Sequence, residues 1–198
     1  MMVPRLLYPE TPAQVLPLPT ADNPSGIAVS GGEYLPVVDE NGIVKARATR
    51  EWIHSGEKLL HPVVHMHVVD RFGRMWLQRR SAAKKGWPLL WDFAVGGHVS
   101  YGEQPLEALF REAAEEVGLS DFNPMCIDSY IWEADTQREL IFSYAAVGSF
   151  SLIPDEVEVE EVRLWTAGEI EDVLGKGLLT PSFELEFSRT GKILQTLL

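Results

Sequence analysis

Glu103, Arg111, Glu112, Glu115 and Glu116 are the residues of this chain whose types and spacing point most directly to chemistry. On a helix, which turns ~100° per residue, the last three glutamates fall within an arc of roughly 100°. Helical neighbours three and four positions apart sit about 5–6 Å from one another. Carboxylates this close repel and cost stability unless something neutralises them. A hard divalent cation does so through oxygen ligands. Arg111 can pair with one carboxylate and fix its orientation. Glu103 lies in the loop before the helix and can lie near its N-terminal end. A solvated acidic helix face fits the same pattern, and the glutamates alone leave both readings open.

The helix that must carry them is predicted over 105–117. Pro105 suits a first helical position, where its missing N–H costs nothing. Gly118 suits a left-handed stop, and Leu119 can cover the end. Leu106, Leu109, Phe110, Ala113 and Val117 form an apolar stripe that would face a core.

A cationic segment comes earlier. Residues 71–85 hold six basic side chains, Arg71, Arg74, Arg79, Arg80, Lys84 and Lys85. Opposite a cation-binding helix they would clamp phosphate; without that context they read as a solvated loop. Four of the five histidines, His54, His61, His65 and His67, fall within fourteen residues, and His98 is the fifth. His65 and His67 alternate on one face of a predicted strand and read as hydrogen-bonded strand residues. Glu158, Glu160 and Glu161 belong to an acidic run, 155–161, that reads as a solvated turn. Trp87 and Trp91 read as core or loop anchors.

Asn41-Gly42 between Tyr34–Val38 and Ile43-Val44 signals a tight hairpin. Residues 61–69 and 75–78 read as strands joined across 70–73. Residues 90–95, 125–132, 140–147 and 162–165 read as further strands. Residues 49–52 could open one helical turn, and 167–174 and 183–197 read as helices after Thr or Ser caps. Mostly antiparallel strands with a few helices predict an α+β sandwich. Six of the thirteen prolines lie before residue 25, so 1–32 reads as a proline-rich extension and 33–198 as one folded domain. A homodimer in which this arm crosses between subunits is left open.

The net charge of −12 argues against a nucleic-acid polymer or an anionic membrane as partner. It is uneven: residues 1–90 carry a net +3, and residues 91–198 a net −15. Cys126 is the single cysteine, which excludes a disulfide framework and a cysteine-rich zinc site. No apolar run approaches the ~20 residues of a membrane helix. No secretory signal is visible at the start, and a cytoplasmic location is the default expectation.

The run from Gly97 through Glu103, Arg111-Glu112-Ala113 and Glu115-Glu116 to Gly118-Leu119 matches the signature of the Nudix hydrolases, with Ala113 small for its aliphatic place. The resemblance implies an α/β/α sandwich with a mixed, mostly antiparallel sheet. It implies hydrolysis of a diphosphate linking a nucleoside or other group to a variable partner, by attack of water on phosphorus with Mg²⁺ or Mn²⁺. Glu112, Glu115 and Glu116 would then hold metal. Glu112 would also be a candidate base oriented by Arg111, and Glu103 would support the site. The substrate would be a small-molecule diphosphate.

Arg79-Arg80, Lys84-Lys85, Trp87-Pro88, Trp91 and Gly97-His98 also resemble the isopentenyl-diphosphate isomerases, a Nudix-fold family. By that likeness Arg80 and Lys84, with Arg79 beside them, would contact diphosphate. His54, His61, His98 and Glu139 fall at four of that family's five metal-ligand positions, and Gln137 replaces the fifth, a glutamate. Gly96 stands at the position of the isomerases' catalytic cysteine and can neither give nor take a proton. The expected function is therefore metal-dependent hydrolysis. An isomerase-like activity and a noncatalytic diphosphate-binding module are the alternatives.

Overall fold

The computed structural model describes residues 4–16 and 33–197. Most of the proline-rich extension, 1–3 and 17–32, lies outside the described residues. The elements run β1 (Gln14–Leu16), β2 (Tyr34–Val38), β3 (Val44–Thr49), α1 (Arg50–Ile53), β4 (Leu60–Val69), β5 (Met75–Arg80), β6 (Trp91–Asp92), β7 (Val95–His98), α2 (Pro105–Val117), β8 (Met125–Glu133), β9 (Arg138–Val147), β10 (Val159–Trp165), α3 (Ala167–Val173) and α4 (Pro181–Thr196). Among the described residues one sheet has the order β1-β3-β2, and a larger one the order β10-β5-β4-β9-β8, with β6 on β5 and β7 on β4. The β1–β3 pairing is parallel, whereas β2–β3, β4–β5, β5–β6 and β10–β5 are antiparallel. The fold is α+β with mixed sheets, as expected. No helix among the described residues is long and apolar enough to cross a membrane.

By its contacts the chain divides into two units, one drawn from 1–64, 98–108 and 129–142, the other from 65–97, 109–128 and 143–198. In the first, Asp39 makes the hairpin turn. Its Oδ1 accepts from the N–H groups of Asn41 and Ile43, and Gly42 takes φ +76°. β3 runs on to Thr49, beyond the expected Val44, and Thr49 caps α1 by accepting from Trp52 N–H. Leu35, Ala48 and Ile53 form a small core there. β1 lies in the proline-rich segment and pairs with 46–48 of β3.

In the second unit Val69, Met75, Leu77, Phe93, Trp165, Ile170 and Phe183 belong to one core cluster, with Trp91 packed against it. The expected strand over 90–95 is two short strands, β6 and β7, separated by the buried Phe93 and Ala94. α4 begins two residues earlier than predicted: Thr180 is the cap, and Pro181 takes the first helical place. Glu186 of α4 is fully buried, and its carboxylate binds His65 Nδ1 and His67 Nε2 at 2.8 Å each and the Ser143 hydroxyl. His65 and His67 are thus the hydrogen-bonded strand residues that their alternation predicts. Burial alone would raise the Glu186 pKa, but the two imidazoles outweigh it and hold the carboxyl well below the usual range.

Candidate active site

α2 ends as its sequence predicts. Gly118 takes φ +64°, Leu119 N–H bonds back to Ala113 O at 2.9 Å, and Leu119 is buried. Its buried side differs in one place from the expected stripe. Phe110 is 37% exposed and meets Phe122 at 4.6 Å between centroids. It lies at the edge of the buried arc, roughly 100° around from Leu109. Within that arc sits a charged residue, Glu116, only 3% exposed. The three helix acids therefore separate by environment: Glu116 is buried, Glu112 has a side chain 14% exposed, and Glu115 one 62% exposed.

Arg111 ties two of them. Its Nη1 donates to Glu112 Oε1 at 2.8 Å and to Glu115 Oε2 at 3.2 Å. The Glu112 carboxyl lies against the backbone of Gly97, where a Cβ would come within 2.1 Å of Glu112 Cδ. Burial raises the Glu112 pKa, Arg111 works against that, and Glu115 and Glu158 add to the rise.

Glu116 has neutral hydrogen-bond partners. Its Oε2 accepts from Gly96 N–H at 3.0 Å and from Gln78 Nε2 at 3.4 Å. Burial, then the neighbouring Glu112, pushes its carboxyl up to about 8. Gln78 is 2% exposed, and its Oε1 has no hydrogen-bond partner. Buried carboxylates in mutual repulsion, bordered by an acceptor oxygen lacking a donor, are a donor set suited to a hard oxygen-seeking cation.

Glu103 sits in the turn before α2, where its Oε2 accepts from Ser100 N–H at 3.0 Å. The basic residues are engaged to different degrees. Arg80 donates to Gly86 O and Asp92 Oδ2, at 3.1 Å each, and so ties the 81–90 loop and β6 to the end of β5. Arg79 pairs with Glu160 at 3.0 Å and lies 3.6 Å from Glu161. Lys84 pairs with Glu158, and both are close enough to influence Glu116, with opposite effects. Trp87 and Leu89 in this loop have positive φ, 46° and 64°.

The other predicted cluster also forms. Ligand atoms of His54, His61 and His98 lie within 4.8 Å of one another. His61 is fully buried, and its Nδ1 bonds to Leu59 O at 2.9 Å, which places the proton there and leaves Nε2 as a lone pair. That Nε2 has no hydrogen-bond partner and lies 3.9 Å from Glu139 Oε1. Burial lowers the His61 pKa to about 4, so the ring is neutral at pH 7. His54 Nε2 and His98 Nε2 are 3.1 Å apart, and Gln137 Nε2 lies 2.9 Å from His54 Nδ1. With its amide turned over, Gln137 can accept an Nδ1 proton when Nε2 serves as a ligand. Gln137 thus touches a ligand candidate rather than supplying an acidic one.

Gln78 was not among the residues singled out from sequence. Its signal is slight: one amide between Trp76-Leu77 and the Arg79-Arg80 pair.

A model of the NUDIX domain family matches residues 59–182. The chain is 34% identical over 143 residues to an uncharacterised Nudix hydrolase from Listeria innocua, covering 69% of this chain and 84% of the relative. It is 32% identical over 177 residues to an isopentenyl-diphosphate Delta-isomerase from Streptomyces griseus, covering 83% of each. It is 41% identical over 87 residues to an uncharacterised Nudix hydrolase from Nostoc sp., covering 44% of this chain but 52% of that relative. In fold it resembles a Deinococcus radiodurans protein with a TM-score of 0.70, at 21% identity, over 79% of this chain and 98% of the other. A MutT protein from Methanosarcina mazei gives 0.56 at 24% identity, over 69% and 98%. The family match takes in the whole carboxylate helix and the strands that carry Gly96, Gly97 and Gln78, and this chain belongs to the Nudix hydrolase family.

Proposed function

We propose that this chain hydrolyses the diphosphate bond of a nucleoside-diphosphate-linked or related small molecule, with Mg²⁺ or Mn²⁺ as cofactor. The observation that carries the reading is Glu116, buried beside Glu112 with only neutral groups bonded to it. Such a carboxylate gains most from a cation, and it must lose its proton to bind one. Glu112, Glu115 and Glu116 hold the metal in this reading. Glu112, oriented by Arg111, is the candidate base, and Glu103 shapes the entry to the helix. A bound divalent cation supplies a lowered pKa for water and draws charge from the phosphoryl oxygens. Lys84 and Arg79 meet the phosphates by exchanging their exposed partners Glu158 and Glu160. Arg80 contributes charge while keeping its bonds to Gly86 and Asp92.

His54, His61, His98 and Glu139 form a second cation site in this reading, supported by the unpartnered Nε2 of His61. An isomerase-like reaction has no side chain at Gly96 to move a proton.

The test is a panel of dinucleoside polyphosphates, nucleotide sugars, nucleoside triphosphates and isopentenyl diphosphate, with added Mg²⁺ or Mn²⁺ and Glu116→Gln as control. Metal-dependent cleavage of at least one compound, lost in the control, is expected. No cleavage, or full activity in the control, overturns the reading. Isomerisation without hydrolysis replaces it with the isomerase alternative, and binding without turnover with the noncatalytic one.

A further inference from the structure

The geometry points to Gln78 as a positioning residue that turns the Glu116 carboxylate toward a divalent cation. This inference rests on the reading of Glu116 as a metal ligand. Gln78 lies on β5, 38 residues before Glu116 in the chain, and is 2% exposed. Its Nε2 and the Gly96 N–H both approach Glu116 Oε2, at 3.4 and 3.0 Å. Two donors converging on one oxygen restrict rotation of the carboxyl group. They leave the other oxygen, Oε1, as the one available to a cation.

Packing alone does not account for this residue. Gln78 Oε1 is buried and has no partner, a cost that an apolar side chain of similar size would not carry. An acceptor beside a metal ligand has a use, because Mg²⁺ keeps several of its waters and these need acceptors. Residues behind metal ligands set their orientation, and losing one typically weakens metal binding about 10–100-fold.

The experiment measures Mn²⁺ binding to the full chain without substrate, reading free Mn²⁺ by electron paramagnetic resonance. Wild type, Gln78→Met, Gln78→Leu and Glu116→Gln are compared, with the thermal midpoint of each metal-free protein. Mn²⁺ that Glu116→Gln still binds belongs to other sites and is subtracted. The dissociation constant of the Glu116-dependent site is expected to rise about 10–100-fold in both Gln78 variants, with the midpoint unchanged or raised. Binding within about twofold of wild type in both variants overturns the inference. So does an affinity loss that merely tracks a falling midpoint across the two. If Glu116→Gln itself leaves Mn²⁺ binding intact, the metal reading of Glu116 fails. If that control loses the site and the Gln78 variants do not, only the positioning role fails.

Discussion

The carboxyl of Glu112 occupies the space that a side chain at Gly97 would need: a Cβ there would lie 2.1 Å from Cδ and 2.3 Å from Oε1. The glycine serves close approach. In Gly97→Ala the flexible glutamate can swing aside, so the fold survives, but the carboxylate leaves its place. A thermal midpoint near that of wild type is expected, with kcat/KM lower by roughly 100-fold. Activity within about tenfold of wild type would show that this position of Glu112 is not needed.

If Glu116 holds metal as proposed, it links metal binding to stability. Its folded pKa of about 8 lies above the ordinary 4.5. The folded chain therefore keeps a proton that the unfolded chain has lost. The stability this group contributes is full below about 4.5 and falls away as pH rises to about 8. In metal-free protein, Glu116→Gln should become more stable than wild type over that interval, by up to a few kcal/mol. Mn²⁺ at about 100 times its dissociation constant should return about 2.7 kcal/mol to wild type and much less to the variant. Urea titrations at both ends of the interval, with and without Mn²⁺, measure the difference.

The histidine cluster makes a separate prediction. His61 is neutral in the fold because burial lowers its pKa to about 4, so protons compete weakly for its Nε2 at neutral pH. His61→Gln should weaken one cation site by at least about 10-fold and leave the Glu116-dependent site unchanged. Calorimetric titration of the two single variants and the double variant with Mn²⁺ or Zn²⁺ reads this directly. Loss of both sites in either single variant would contradict it.

Glu186 is a purely structural case. Its folded pKa is depressed below 4.5, so its contribution is present above that value and declines as pH falls further. Removing the carboxylate leaves His65 and His67 buried without their anion. Glu186→Leu should cost about 3–5 kcal/mol at pH 7, measured by denaturant unfolding. The wild-type advantage should shrink in acid. A cost that stays constant into strong acid would show that charge is not what Glu186 contributes.

Local features were legible in the sequence. Pro105 and Gly118 mark the two ends of α2 in the sequence itself, because each acts through its own backbone. Helical spacing by itself sets Arg111, Glu112, Glu115 and Glu116 as neighbours on α2, while Glu103 lies in the turn before it. What spacing could not decide is the environment of each acid. Glu115 and Glu116 are adjacent in sequence, yet one is solvated and the other buried, because only Glu116 faces Gly96 and Gln78. The same limit applies to Arg79 and Arg80, whose partners Glu160 and Asp92 come from other strands. Sequence determined the family of this chain and which ionisable side chains neighbour one another along α2. Tertiary structure decided which carboxylate pays the cost of burial, because desolvation and repulsion depend on chain segments brought together from far apart.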